Sequence, residues 1–250
     1  MLAIDTSTEC LSVAVLTAQA RLGVNEAGGK AASARLIPLV LQLLDQAGTT
    51  LAGLQAIAFG QGPGAFTGLR TACAVTQGLA LAHDTPVLAI DSLLIVAEDA
   101  RLQALAAHPA PAPAATQDWW VAMDARMDEV YAACYHLGAD GWQARVAAQL
   151  WTLPALARAW VDAPPQHVAG SAVTAFAGRL PWGSATLWPA TTDRAAALLR
   201  LAQAAWAKGQ AVPPEQALPL YLRDKVAFTT AERAAGQASP ALLASSVGPA

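Results

Sequence analysis

The stretch Gly60-Gln61-Gly62-Pro63-Gly64-Ala65-Phe66-Thr67-Gly68-Leu69-Arg70 stands between an apolar tetrad, Ala56-Ile57-Ala58-Phe59, and a mostly apolar run from Leu69 to Ala82. That order predicts a strand, a tight loop and a helix. Pro63 fixes one backbone angle, and the flanking glycines permit positive φ or close approach of another chain segment. Thr67 suits the N-cap position, so the first N–H groups of the helix would face the loop and could receive an anion. The block lacks the Lys and Ser/Thr of a P-loop, and its glycine spacing does not fit the dinucleotide fingerprint. Two readings stand: glycines for a sharp strand-to-helix turn, or glycines around a phosphate.

The helix after the loop carries two apolar stripes. Leu69, Ala72, Cys73, Thr76, Leu79 and Ala80 form one; Thr71, Ala74, Val75, Gly78 and Ala82 form the other, and no charge occurs from Thr71 to His83. A helix apolar all round is expected to be buried on both sides, by its own protein or by a partner.

Working outward, Leu2-Ala3-Ile4-Asp5 reads as a buried strand ending in a carboxylate. Thr6 to Glu9 is a polar turn, Leu11–Leu16 a second strand and Arg21–Glu26 a third. Leu36, Val40, Leu43, Leu44 and Ala47 predict a helix ending at Gly48, with Pro38 kinking or delaying it. Val87–Asp91 is a strand leading into a helix over Ser92–Ala107. The order is β-β-β-α-β-α-β-α, a mixed sheet flanked by helices.

Residues 108–117, rich in alternating proline and alanine, read as a stiff linker between lobe 1–107 and lobe 118–230. The opening then recurs: Ala3-Ile4-Asp5 with Leu11–Val15 is echoed by Ala122-Met123-Asp124 with Val130–Cys134, at the same spacing. Two related halves follow. Gln143–Gln149 predicts a third strand, Pro154–Val161 a helix, His167–Gly170 a strand and Ala172–Gly178 a short helix. Asp193 caps a helix through Lys208, with Ala197, Leu198, Leu201, Ala205 and Trp206 inward, packing back toward the first lobe. Residues 231–250 read as a disordered tail.

Composition bounds the function. Apolar residues make up 55% of 250, mean hydropathy is +0.36, and the formal charge is −3 with basic residues scattered. This gives no footprint for independent nucleic-acid binding. No run is long and apolar enough to span a membrane, and Asp5 and Glu9 without early Lys or Arg argue against a signal peptide. Cys10, Cys73 and Cys134 are odd in number and far apart, suiting thiols in a cytoplasmic protein. No histidine pairs into a metal motif, and no G-x-S-x-G elbow is present. Eight tryptophans, almost all in the second half, lack interleaved basic residues and are assigned to packing. Asp5 and Asp124 are the candidate cleft carboxylates. They would hold a metal–nucleotide in a phosphotransferase, or each would bond the N–H groups of its own turn.

Ala3-Ile4-Asp5-Thr6-Ser7-Thr8, Gly62 through Arg70, Gln77-Gly78-Leu79-Ala80, Met123 through Tyr131 and Tyr221-Leu222-Arg223 together resemble the bacterial TsaB family, formerly YeaZ. The matches run in order over residues 1–227, and the block Gly62, Pro63, Gly64, Ala65, Phe66, Thr67, Gly68, Leu69, Arg70 is the most specific. The resemblance implies the duplicated ribonuclease-H-like fold of actin, Hsp70 and sugar kinases, two mixed-sheet lobes flanked by helices. It implies a part in making threonylcarbamoyladenosine at position 37 of tRNAs that read codons starting with A. In that system the related subunit TsaD transfers the group with a metal held by an H-x-x-x-H pair. Ser92 and Val96 stand at the corresponding places here, and a hydroxyl and an isopropyl group do not replace two imidazoles.

The chain is therefore expected to be a non-catalytic partner of TsaD, with no cofactor of its own. ATP/ADP and metal would belong to TsaD and the ATPase TsaE, and tRNA would be met only by the assembly. The family implies pairing with TsaD, or with a second copy, through helices corresponding to Leu36–Ala47 and Leu69–Ala82. Leu39, Leu43, Thr71, Ala74, Val75 and Gly78 are the expected contacts. The rival readings are the Asp5/Asp124 phosphotransferase and, last, a glycoprotease-type peptidase, which lacks a metal site or nucleophile.

Overall fold

Leu2–Asp5 (β1) is the strand on which the first half is built, and all four of its side chains are fully buried, as a strand covered on both faces requires. The computed structural model describes residues 1–28, 32–107 and 117–223; most of the expected linker and the whole of the expected tail lie outside them. Cys10–Leu16 (β2) and Arg21–Ala27 (β3) follow antiparallel, while Ile57–Gly62 (β4) and Val87–Asp91 (β5) join parallel on the other side of β1. The sheet order is β3-β2-β1-β4-β5.

The second half repeats this plan. Gln117–Asp124 (β6), Glu129–Gly138 (β7), Gly141–Thr152 (β8), His167–Ala169 (β9) and Thr186–Trp188 (β10) stand in the order β10-β9-β6-β7-β8, with the same parallel and antiparallel pairings. Asp5 and Asp124 end the equivalent central strands. Gln117 opens β6 rather than closing the linker, and β10 is an addition to the predicted elements, a three-residue strand too short to show periodicity.

Ala32–Gln46 (α1) and Phe66–Leu81 (α2) cover one face of the first sheet. On α1 the inward stripe is Leu36, Leu39, Val40, Leu43 and Leu44. Leu39 and Leu43 are only 1% and 2% exposed, so they are core residues and do not belong to a partner face. The helix tolerates Pro38 and begins before the predicted stripe. On α2 Leu69, Ala72, Cys73, Thr76 and Ala80 point inward, whereas Ala74 and Gly78 are exposed. The helix read as apolar all round is thus covered on one side only. Its N-cap is Ala65, without a side-chain cap; Thr67 lies within the first turn and is not the cap.

The helix buried on nearly every side is Ser92–Ala107 (α3) over its first nine residues, of which Leu94 alone is half-buried. Leu93, Val96, Ala97 and Ala100 pack on Trp119, Val121, Ala133 and Tyr135 of the second sheet, and Ile95 joins the core of the first. Arg194–Ala207 (α6) makes the reciprocal crossing and lies on the first sheet, where Ala195, Leu198, Leu199 and Ala202 meet Ala3, Ala14, Ala58 and Leu88. Its cap is Asp193, whose carboxylate accepts from the Ala196 N–H at 3.0 Å. Trp206, expected inward, is 39% exposed.

Two acids tie these crossings together. Glu98 accepts from Arg101, Arg200 and the Trp142 indole N–H; Asp99 accepts from the N–H groups of Thr192 and Asp193. Leu153–Asp162 (α4) and Ala172–Ala175 (α5) close the outer face of the second sheet, where Trp120, Trp160 and Trp182 pack at ring distances of 5.7 and 5.4 Å.

Candidate functional site

A cleft of about 870 Å³ opens between the halves, lined by the turns after β1 and β6, the glycine loop, Thr192 and Arg194, and the segment Leu220–Arg223. The size suits a small organic ligand.

The glycine loop packs against the turn after β1. A Cβ at Gly60 would collide with the Asp5 carboxylate, one at Gly64 with the Ser7 carbonyl, and one at Gly68 with the Thr6 carbonyl. Spaced four apart, these glycines seat the loop against the Asp5-Thr6-Ser7 turn. Gly62 supplies φ of +119° before the cis bond to Pro63. Two of the loop's N–H groups are used internally: Ala65 N–H donates to Ser7 O at 2.7 Å and Gly62 N–H to Ser92 Oγ at 3.0 Å. This close packing is what the sharp-turn reading of the block requires.

Leu218–Arg223 forms a strap across the cleft mouth. Leu220 N–H donates to Gln61 O at 2.8 Å, Tyr221 packs on Phe66 with centroids 5.1 Å apart and the rings tilted by 36°, and Arg70 lies 3.9 Å over the Phe66 ring while donating to Tyr221 Oη at 3.0 Å. Arg223 then crosses to the second half, donating to Glu129 Oε2 at 2.5 Å and to Arg126 O at 3.3 Å. The motif blocks at 62–70, 123–131 and 221–223 therefore converge on one place. Within it Arg126, Met127 and Asp128 all hold left-handed φ values of 66°, 58° and 58°, a strained run of a kind that concentrates at functional loops.

The two aspartates have different partners. Asp5 is fully buried, accepts from the N–H and hydroxyl of Ser7 at 3.1 Å each, and is ion-paired with Arg194 of α6. Asp124 lines the cleft, accepts from the Arg126 N–H at 2.7 Å and pairs with the Arg126 guanidinium at 3.2 Å. Each serves its own turn first.

The places of the family's metal ligands do not fit a metal. Ser92, 1% exposed, uses its hydroxyl on the Gly62 N–H, and Val96, 2% exposed, is packed into the core of the second sheet. Among the described residues no group of three or more His, Cys, Asp or Glu is arranged to hold an ion. Below the cleft, burial holds the Asp91 carboxyl above its usual range although Tyr135 Oη donates to it at 2.6 Å. Burial likewise pushes the Cys134 thiol up to about 12.

Of the expected residues, Ala74 and Gly78 are exposed on the side of α2 away from the sheet and Thr71 is half-buried, while the half-buried Val75 packs against the core of the first sheet. Arg194 and the Glu129–Arg223 pair were missed by sequence reasoning. Arg194 carried a readable signal: a cation in the first turn of a helix opposes the macrodipole and asks for a local anion.

Two five-stranded sheets of one topology, facing across a cleft, define the duplicated ribonuclease-H-like class. A family model described as "TsaD: tRNA N6-adenosine threonylcarbamoyltransferase" matches residues 23–161. The tRNA threonylcarbamoyladenosine biosynthesis protein TsaB of Escherichia coli K12 is 32% identical over 91% of this chain and 96% of its own length. The solved structure of YeaZ from Pseudomonas aeruginosa is 40% identical, covers 88% of this chain and 98% of that one, and superposes with a TM-score of 0.76. A tRNA N6-adenosine threonylcarbamoyltransferase of Nitrosomonas eutropha is 42% identical over a shorter span, 31% of this chain. The chain belongs to the TsaB family.

Proposed function

We propose that this chain is a non-catalytic subunit of the machinery that makes threonylcarbamoyladenosine in tRNA, and that it works by holding a TsaD-type transferase. The observation that carries the reading is the outer face of α1 and α2. Ile37, Leu41 and Leu81 are 44%, 51% and 60% exposed there, beside exposed Ala74 and Gly78. Such a face fits a protein partner, and small residues let a facing helix come close. With Leu39 and Leu43 in the core, Ile37 and Leu41 are the α1 contribution.

Ser92 and Val96 support the absence of transfer chemistry in this chain. Metal and nucleotide then belong to TsaD and to the ATPase TsaE, tRNA meets the assembly, and a second copy takes the same face when the partner is missing. No helix among the described residues is long and apolar enough to cross a membrane.

Co-expression with the cognate TsaD-type subunit followed by size-exclusion chromatography tests the reading. Leu41→Glu and Leu81→Glu should keep the wild-type melting temperature and lose co-elution, whereas Leu39→Glu should fail to fold. Co-elution retained by both surface variants would overturn it. ATP turnover with Mg²⁺ by the purified chain, abolished by Asp5→Ala, would instead establish the phosphotransferase.

A further inference from the structure

We infer that the Asp5 pocket is a cation site whose resident cation is the chain's own Arg194 guanidinium. Three oxygens from two separate segments face that guanidinium: Asp5 Oδ2, Ser7 Oγ at 2.9 Å from Nη2, and the Ser92 carbonyl at 3.3 Å. A carboxylate, a hydroxyl and a main-chain carbonyl all accept hydrogen bonds, as the N–H groups of a guanidinium require. The side chains of Arg194 and Asp5 are 3% and 0% exposed, so solvent does not screen the carboxylate and its charge is met by the guanidinium.

The fit is that of a guest filling a pre-existing pocket. Five N–H donors project from a guanidinium, yet the oxygens engage only Nε and Nη2, and Nη1 is buried without a partner among the described residues. Gly60 is bare so that the carboxylate can lie against it. Arg194 arrives from 189 residues away, on a helix reached after the whole second half. Its guanidinium fixes the first turn of α6 to the end of β1 and the start of α3, and it leaves Asp5 no capacity to recruit Mg²⁺ or a metal–nucleotide from solution. The pocket therefore takes a monovalent guanidinium-type cation, and the protein carries it covalently. This holds whether or not the α1/α2 face binds a partner.

Chemical rescue of the full chain tests it. Arg194→Ala should lower the melting temperature by about 10 °C, the loss expected when a buried carboxylate is left unpaired. Guanidinium chloride at about 10 mM, far below denaturing levels, should return part of that loss, while the same concentration of NaCl should not. Neither salt should raise wild type or Asp5→Asn/Arg194→Ala, and the double variant should melt above Arg194→Ala alone. If Arg194→Ala does not fold, the double variant should still show a cooperative melt. Equal responses to the two salts in Arg194→Ala, a double variant no more stable than the single, or a rise of wild type with Mg²⁺ would each overturn the inference.

Discussion

The turns after β1 and β6 began as one structure and now differ in what neutralises their aspartates. Asp5 is sealed beneath the glycine loop and paired with a guanidinium from α6. Asp124 stays at the cleft surface, its side chain 18% exposed, paired with Arg126 of its own turn, which is 75% exposed. The difference follows from where the terminal helices go. α6 crosses onto the first sheet and delivers Arg194, while α3 crosses onto the second sheet and delivers Leu93 and Val96. Duplication fixed two equivalent acids; the helix returning over each one decided whether it became a buried ion pair or an open turn.

The comparison breaks most readily at the acids themselves. Asp5→Ala should destabilise by about 3–5 kcal/mol, because it strands a buried guanidinium. Asp124→Ala should cost about 1 kcal/mol, the loss of a partly exposed turn bond. Urea midpoints that fall equally for both would show that the two turns are energetically alike. Next in size are the glycines. Gly68→Ala forces a Cβ into the Thr6 carbonyl and should cost about 1–3 kcal/mol. Gly78→Ala, with nothing within 4 Å of the new atom, should instead stabilise by about 0.5–1 kcal/mol. Melting temperatures moving in the same direction would refute the assignment of inner and outer faces on α2.

The smallest effect sharpens the contrast between buried carboxylates. Asp91 has a tyrosine hydroxyl and main-chain N–H groups but no guanidinium, and burial raises its pKa. Between its ordinary value near 3.8 and the raised folded value, the native state binds more protons than the unfolded state. This contribution to stability therefore falls as pH rises through that window and is flat above it. Asp91→Asn should remove that slope from a stability-versus-pH series while leaving the remainder of the curve in place; an unchanged slope would place the titration elsewhere.

Much of the fold was legible because it is written locally. Apolar runs and turn residues gave the first eight elements in order, the aspartate cap at 193 marked the start of α6, and the echo of Ala3-Ile4-Asp5 in Ala122-Met123-Asp124 gave the duplication. What failed was the choice of faces. Both α1 and α2 carry more apolar residues than one sheet covers, so spacing could not say that Leu39 and Leu43 go in while Ile37 and Leu41 stay out. Nor does spacing show that Glu98 and Asp99 of α3 are buried, since the partners that bury them, Trp142, Arg200, Thr192 and Asp193, are far along the chain.

The sequence by itself determined the strand and helix order, the repeat and the family, since periodicity, turn chemistry and a dense motif act over a few residues. Only the tertiary structure decided that the glycines of the motif seat a neighbouring turn, and that Asp5 is matched with Arg194. The physical reason is range: an ion pair between residues 189 positions apart leaves no trace in local spacing, and it exists only once two sheets and the helices crossing between them have closed around it.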